Sequence, residues 1–211
     1  MKSFMGVLFS ILLVLIAGCT SNPVPSVEHQ AHAAQVRGDW ADAILLWRQA
    51  LEAQKEQRGF WNEELARPSR HSAVLYYELG RSEGVLCLWN AGIDDLNQAL
   101  HLDEILHGPV WMDLLELGRL YHAYGDHSGA EAYFDRFFGG MPFDEVAQPV
   151  PDELILTCEE AADVAAALGK SEKASQYRDK AASVRNTHPQ ATVPKDWTPY
   201  GLGCSTNSTT R

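Results

Sequence analysis

Apolar and small residues recur along this chain at three-and-four spacing, in long blocks that each break once at a Gly or a Gly-like position. The clearest block runs from Trp111 to Phe138. Within it Leu114, Leu117-Gly118 and Tyr121 fall on one helical face, because residues three and four apart stack on the same side of a helix. Gly125-Asp126 then stops the helix, since Gly enters the left-handed conformation without a steric penalty. Ala130, Phe134 and Phe137 form the facing stripe of a second helix. Small residues at Gly118 and Ala130 predict a close approach of the two backbones, with Leu117, Tyr121 and Phe134 filling the space around it.

The same arrangement returns elsewhere. Glu78-Leu79-Gly80-Arg81 is repeated residue for residue as Glu116-Leu117-Gly118-Arg119. From Val24 to Lys55, Ala31 and Ala34 precede Gly38-Asp39-Trp40, and Ala43, Trp47 and Ala50 follow. From Ala73 to Glu104, Tyr76, Leu79-Gly80, Trp89, Gly92, Leu96 and Ala99 keep the register, with Cys87 where the turn Gly would stand. From Ile155 to His188, Ala161-Ala162, Ala165, Gly169, Ala174 and Ala181 fit, while Arg178 occupies a position expected to be large and apolar.

This pattern resembles the tetratricopeptide repeat. The spacing through Leu100-His101-Leu102-Asp103-Glu104 and Gly108-Pro109 is similar to the kinesin-light-chain-like variety. The resemblance implies an all-α, right-handed solenoid of about four helix hairpins, whose concave face receives peptides or other proteins. An ordinary Ala-rich helical bundle is the competing architecture.

The first residues read as an address. Lys2 precedes an apolar run from Phe4 to Ala17 that is short for a bilayer span, as in a secretory signal. Leu15-Ile16-Ala17-Gly18-Cys19 resembles the bacterial lipoprotein box, which implies lipidation of Cys19 and cleavage before it. Several acyl chains hold a protein to a membrane far better than one. The resemblance extends to Thr20, which in lipoproteins of bacteria with two membranes implies sorting to the outer membrane. The expected organisation is a signal peptide over 1–18, a lipidated Cys and tether over 19–25, a helical repeat domain over 26–186, and a Pro/Gly-rich, partly disordered tail over 187–211.

Composition narrows the partners. The formal charge is −11, and loss of Lys2 with the leader makes it more negative, so nucleic acid and anionic headgroups are disfavoured ligands. Apolar residues make up 45% of the chain, enough for a folded core. With Cys19 assigned to lipid, Cys87, Cys158 and Cys204 remain. Cys87 lies between Val85-Leu86 and Leu88-Trp89, a setting that favours a buried free thiol, while Cys204 in the tail has the reach to bridge to Cys158 or to Cys87.

Phe60-Trp61 are expected to pack within the linker of residues 56–69. The Gly- and Pro-rich stretch from Gly139 to Pro151 is the expected exposed loop. In the tail, Trp197 and Tyr200 are expected to cap the last helix pair, and the residues beyond Cys204 to be disordered.

No catalytic or metal-binding pattern emerges. The chain has no phosphate loop, no Gly-x-Ser-x-Gly turn and no His-Glu-x-x-His pair, and His29 with His32 lack acidic or thiol companions, so no cofactor or metal is expected. The expected role is a membrane-anchored interaction scaffold or assembly factor of the cell envelope, with a protein or peptide partner. The alternative is an accessory subunit of an envelope enzyme, or a hydrolase whose site follows no recognisable pattern.

If the first helices line the concave face, Glu28, His32, Tyr77, Arg81, Leu115, Arg119, His122, Glu159 and Asp163 project into it. Arg81 and Arg119 are equivalent positions, and a guanidinium is a planar fork suited to carboxylates. Two readings stand open. The pair holds an acidic side chain or peptide C-terminus, with Tyr77 and Leu115 giving apolar contact. Otherwise each Arg pairs within the protein, with Glu78 or Glu116, or with Glu159 and Asp163 across the groove.

Overall fold

A computed structural model describes residues 26–59, 69–140, 150–192 and 197–204. The expectations for the signal peptide, Cys19, Thr20, Phe60-Trp61 and the chain beyond Cys204 lie outside these residues. Among the described residues there are eight helices and no strand. They are α1 Val27–Arg37, α2 Trp40–Gly59, α3 Arg70–Val85, α4 Trp89–Leu106, α5 Val110–Tyr124, α6 His127–Gly140, α7 Pro151–Ala167 and α8 Ser171–Thr187. None of the described helices is long and apolar enough to cross a membrane.

The helices form four antiparallel pairs, and the second helix of each pair packs on the first helix of the next. In consequence α3, α5 and α7 touch in a row and make one continuous wall. One core joins the first two pairs through Ala31, Ala34, Trp47, Leu75 and Leu79, and a second runs from Leu96 through Leu117 and Phe134 to Val184. Both are built from the small and large positions that recur in the sequence.

The turn within each pair is the same device used four times. The amides of Asp39, Leu88, Asp126 and Lys170 each donate to the carbonyl five residues back, and those of Gly38, Cys87, Gly125 and Gly169 to the carbonyl three back. This nested pair satisfies carbonyls that a helix end leaves without partners, and it requires a left-handed residue at the crossing. Three of the four are Gly, with φ of 79°, 91° and 73°, whereas the second is Cys87 at φ 64°. A side chain in this region costs roughly 1–2 kcal/mol. The sequence thus departs from Gly at one turn against its local preference.

Two differences from the sequence expectations concern helix ends. Gly139 and Gly140 complete the last turn of α6 rather than opening the loop, and α2 continues to Gly59. Gly weakens a helix by only about 1 kcal/mol, which the packing of Phe134 and Phe137 outweighs.

The closest approach of α3 and α4 is Gly80 on Gly92. A Cβ on Gly80 would lie 2.8 Å from both the Gly92 carbonyl oxygen and Leu96 Cγ, and one on Gly92 would lie 2.9 Å from the Gly80 oxygen. Backbone cannot yield as a side-chain tip does, so Gly80→Ala is expected to lower stability by about 1–3 kcal/mol, the usual cost of overpacking. Denaturant unfolding monitored by circular dichroism checks this. An unchanged midpoint would show that the helices are not held this close.

Candidate functional site: an occupied wall on helices α3, α5 and α7

The wall carries charges that are almost wholly withdrawn from water. Glu116 and Arg119 on α5 are 5% and 3% exposed, and Arg81 on α3 stands beside them. Arg119 Nη1 donates to both Glu116 oxygens at 3.0 and 3.1 Å, and its Nε donates to Glu160 of α7 at 3.1 Å. Arg81 Nη1 reaches Glu78 at 3.3 Å, and its Nε lies 3.7 Å from Glu116. Two guanidinium groups therefore serve three carboxylates, and each helix of the wall contributes.

The C-terminal segment lies on this cluster. Arg119 Nη2 donates to the Thr198 carbonyl at 2.8 Å, and Arg81 Nε donates to Thr198 Oγ1 at 2.7 Å. Tyr200 donates its hydroxyl proton to Glu116 at 2.6 Å, and Thr198 Oγ1 lies 3.4 Å from the other oxygen. The Arg119 guanidinium sits 3.5 Å from the centre of the Trp197 ring, close enough for planar stacking, while the Trp197 side chain hydrogen-bonds to Glu160. Gly84 provides the seat for Tyr200, since a Cβ there would come within 2.6 Å of the Tyr200 ring. Further along, the amides of Gly201 and Gly203 donate to the Gly84 and Val85 carbonyls at 3.4 and 2.8 Å. A disulfide between Cys87 and Cys204 ends the run, with Cα atoms 5.5 Å apart.

The electrostatics follow from this packing. Burial opposes charge on Glu116, yet Arg119, Arg81 and the hydrogen bonds from Tyr200 and Thr198 outweigh it and hold the carboxyl below its ordinary range. Glu160 has only part of that help. Burial pushes it up to about 7, with Arg119 pulling it back and the Glu116 charge adding to the rise. The Tyr200 and Tyr77 hydroxyls are both driven upward, first by burial and then by the Glu116 charge, so each stays a proton donor.

The wall gathers some of the expected groove residues and not others. Tyr77, Arg81 and Arg119 all stand within the field of Glu116, with Arg81 over the Tyr77 ring at 5.3 Å. Leu115 points the other way and is buried beside Trp111, Phe137, Leu154 and Thr157. His122 lies against His127 at 5.5 Å, and burial, then the His127 charge, lowers its pKa. Glu159 pairs with Arg185 and Asp163 with Arg178, both on α8, so it is Glu160 that meets Arg119. Glu28 pairs with His71 and His32 packs edge-on against Trp47, away from the cluster.

Two further expectations are corrected, and one left open is decided. Cys87 is not a free thiol, because its left-handed turn sets it at the rim where Cys204 arrives; Cys158 is the buried free Cys. Of the two bridges open to Cys204, the one to Cys87 forms. Trp197 and Tyr200 dock on α3, α5 and α7 rather than capping the last pair, because Arg119, Glu116 and Glu160 offer them a stacking face and hydrogen-bond partners that an apolar end does not. The sequence marked both aromatics as conspicuous but held no signal for their destination.

No protein-family model matches the chain, and no curated protein matches it. Among solved structures, BtubC (BKLC) from P. vanneervenii superposes with a TM-score of 0.66 at 20% identity, over 80% of this chain. The match spans 65% of the length of BtubC. A kinesin light chain-like protein of Podosopora anserina with nearly identical TPR-like repeats gives a TM-score of 0.57 at 18% identity, over 78% of this chain and 76% of its own. These likenesses establish the fold, a right-handed solenoid of tetratricopeptide-like hairpins.

Glu160 gives the wall a pH signature. Its pKa is raised from 4.5 to about 7, so between these values the folded chain holds a proton that the unfolded chain has released. Its contribution to stability therefore declines as pH rises through that window. A quarter of the side chain still meets solvent, which moderates the effect. Glu160→Gln is expected to be more stable than the parent by on the order of 1 kcal/mol at pH 8 and by little at pH 4.5, measured by urea unfolding. Parallel pH profiles for the two proteins would contradict this assignment.

Proposed function

We propose that this tetratricopeptide-like solenoid is a lipid-anchored scaffold of the bacterial cell envelope, binding a protein or peptide partner on the wall of α3, α5 and α7. The observation that carries the reading is the state of that wall. It holds a stretch of non-helical polypeptide, open at Trp197–Pro199 and turning over Tyr200–Gly203, by means that peptide recognition uses: a guanidinium on a main-chain carbonyl, amide-to-carbonyl bonds and a stacked ring.

Anchoring rests on Leu15-Ile16-Ala17-Gly18-Cys19 and on reach. The short stretch from Cys19 to the start of α1 at Val27 extends at most roughly 30 Å. A lipid on Cys19 would thus keep the first hairpin near the bilayer, and Thr20 favours the outer membrane. The Cys87–Cys204 disulfide fits an exported protein, since such bonds persist where thiols are not kept reduced. The acidic surface favours partners other than nucleic acid.

The test places a photoreactive residue at Tyr77 of the full-length chain in its own cells. The expected result is a covalent adduct with an envelope protein, in the membrane fraction, with Cys19→Ala moving the chain to the soluble fraction. Recovery of the unaccompanied chain alone, from envelopes kept with and without a reductant, would overturn the scaffold reading.

A further inference from the structure

The wall already has an occupant, and that occupant is fastened. Residues 197–204 are held by side-chain bonds to Arg81, Glu116 and Arg119, by two main-chain bonds to the end of α3, and by the bond from Cys204 to Cys87. We infer that this segment is a strap in the seat of a partner's segment, and that the Cys87–Cys204 disulfide keeps the seat closed until a dithiol reductant opens it. The inference rests on the scaffold reading above and supplies its regulation and the chemistry of its ligand.

Three observations make the segment a resident ligand rather than a piece of core. The charged groups beneath it are already balanced without it, since Arg119 pairs with Glu116 and Glu160, and Arg81 with Glu78. Lifting the strap leaves these ion pairs in place and open to water, which replaces the hydrogen bonds lost. The helix pairs, moreover, build the centre of their core from residues of their own, Leu96, Leu117, Leu120 and Phe134 among them, and of the strap only Tyr200 packs against its edge. Finally, the covalent clip sits at the far end of the strap, at an exposed Cys204, and joins it to the one turn of four that has Cys in place of Gly.

The seat also specifies what fits. With Glu78, Glu116 and Glu160 beside the two guanidinium groups, the wall has no surplus positive charge for an acidic segment. It offers a flat cation at Arg119 for an aromatic ring, donors for a carbonyl and a hydroxyl at the next residue, and a Gly-floored slot with a carboxylate at its end for a phenol. The ligand class is therefore an uncharged segment of the form aromatic, Thr, Pro, Tyr that turns at its Tyr, as Trp197-Thr198-Pro199-Tyr200 does.

Opening balances as an ordinary exchange. A thiolate of the dithiol attacks the exposed Cys204 sulfur, forming a mixed disulfide and releasing Cys87 as a thiolate that takes a proton. The second thiol of the reductant resolves the mixed disulfide. Cys204 leaves as a thiol, and the reductant ends as its own disulfide, having supplied two electrons and two protons.

The experiment uses the full chain and two readouts. Hydrogen exchange at the Gly201 and Gly203 amides is followed in the oxidised protein, after dithiothreitol, and in Cys204→Ser. Binding of a labelled synthetic peptide copying residues 197–203 is measured on the oxidised protein and on Trp197→Ala/Cys204→Ser. The second variant weakens the strap's own competition, which acts at roughly millimolar effective concentration. Exchange is expected to quicken at least tenfold on loss of the disulfide while α3 and α5 stay protected. The peptide is expected to bind the double variant at least tenfold more tightly than the oxidised protein. Unchanged exchange after reduction would overturn the proposal, and so would faster exchange without peptide binding, since the wall would then open and receive nothing. In cells, equal capture of a partner by the parent and by Cys204→Ser discards the gate and leaves the scaffold standing. Peptide binding in vitro with no partner in cells discards the scaffold reading and leaves the wall as a receptor.

Discussion

A carboxylate buried as deeply as Glu116 stays charged only if its surroundings replace the water it has lost. Removing one partner of such a buried pair typically costs about 3–5 kcal/mol, so its neighbours are tightly constrained. Glu116 meets this demand with Arg119 on its own helix, Arg81 on the preceding wall helix and the hydroxyls of Thr198 and Tyr200 from the C-terminal segment. One charge thereby ties α3, α5 and the tail together, and Arg119 extends the tie to α7. The tail covers this cluster and adds hydrogen bonds to ion pairs that the helices make among themselves, with the disulfide closing a loop of 117 residues behind it.

The repeat architecture makes that cluster possible. Because each second helix packs on the next first helix, equivalent residues of successive units come to stand side by side on the wall, and Arg81 and Arg119 are such a pair. Four turns with one hydrogen-bond pattern set the spacing, and one of them has Cys in place of Gly. Cys87 accepts a strained backbone angle that Gly would take freely, and in return it presents sulfur at the rim beside the tail. A repeat thus supplies the scaffold, and a local breach of the repeat supplies the fastening.

How much of this was legible depends on range. The helix pairs, the Gly80 and Gly118 contacts and the turn at Cys87 were all readable, because three-and-four spacing and turn chemistry act over a few residues. The internal pairing of Arg81 with Glu78 and Arg119 with Glu116 was readable for the same reason, as neighbours three apart on a helix. On α7 the spacing points to Glu159, whereas Glu160 makes the contact. Glu159 and Glu160 flank an Ala-rich stripe whose small side chains are buried on several sides, so the stripe does not define a phase, and only contact with Arg119 distinguishes the two. The destination of Trp197 and Tyr200 was out of reach, since Thr198 meets Arg119 across 79 positions and no periodicity connects a Pro/Gly-rich tail to a helix so distant.

The place of the tail on the wall depends on where it is fastened. Digestion of the unreduced protein, taken from cell envelopes with its thiols blocked, followed by mass spectrometry of the peptides, tests this most directly. The prediction is a linked pair containing Cys87 and Cys204, with Cys158 recovered as a free thiol. Recovery of Cys204 joined to Cys158, or unlinked in the native protein, would contradict the account, because the segment would then have no fixed place on the wall of α3, α5 and α7.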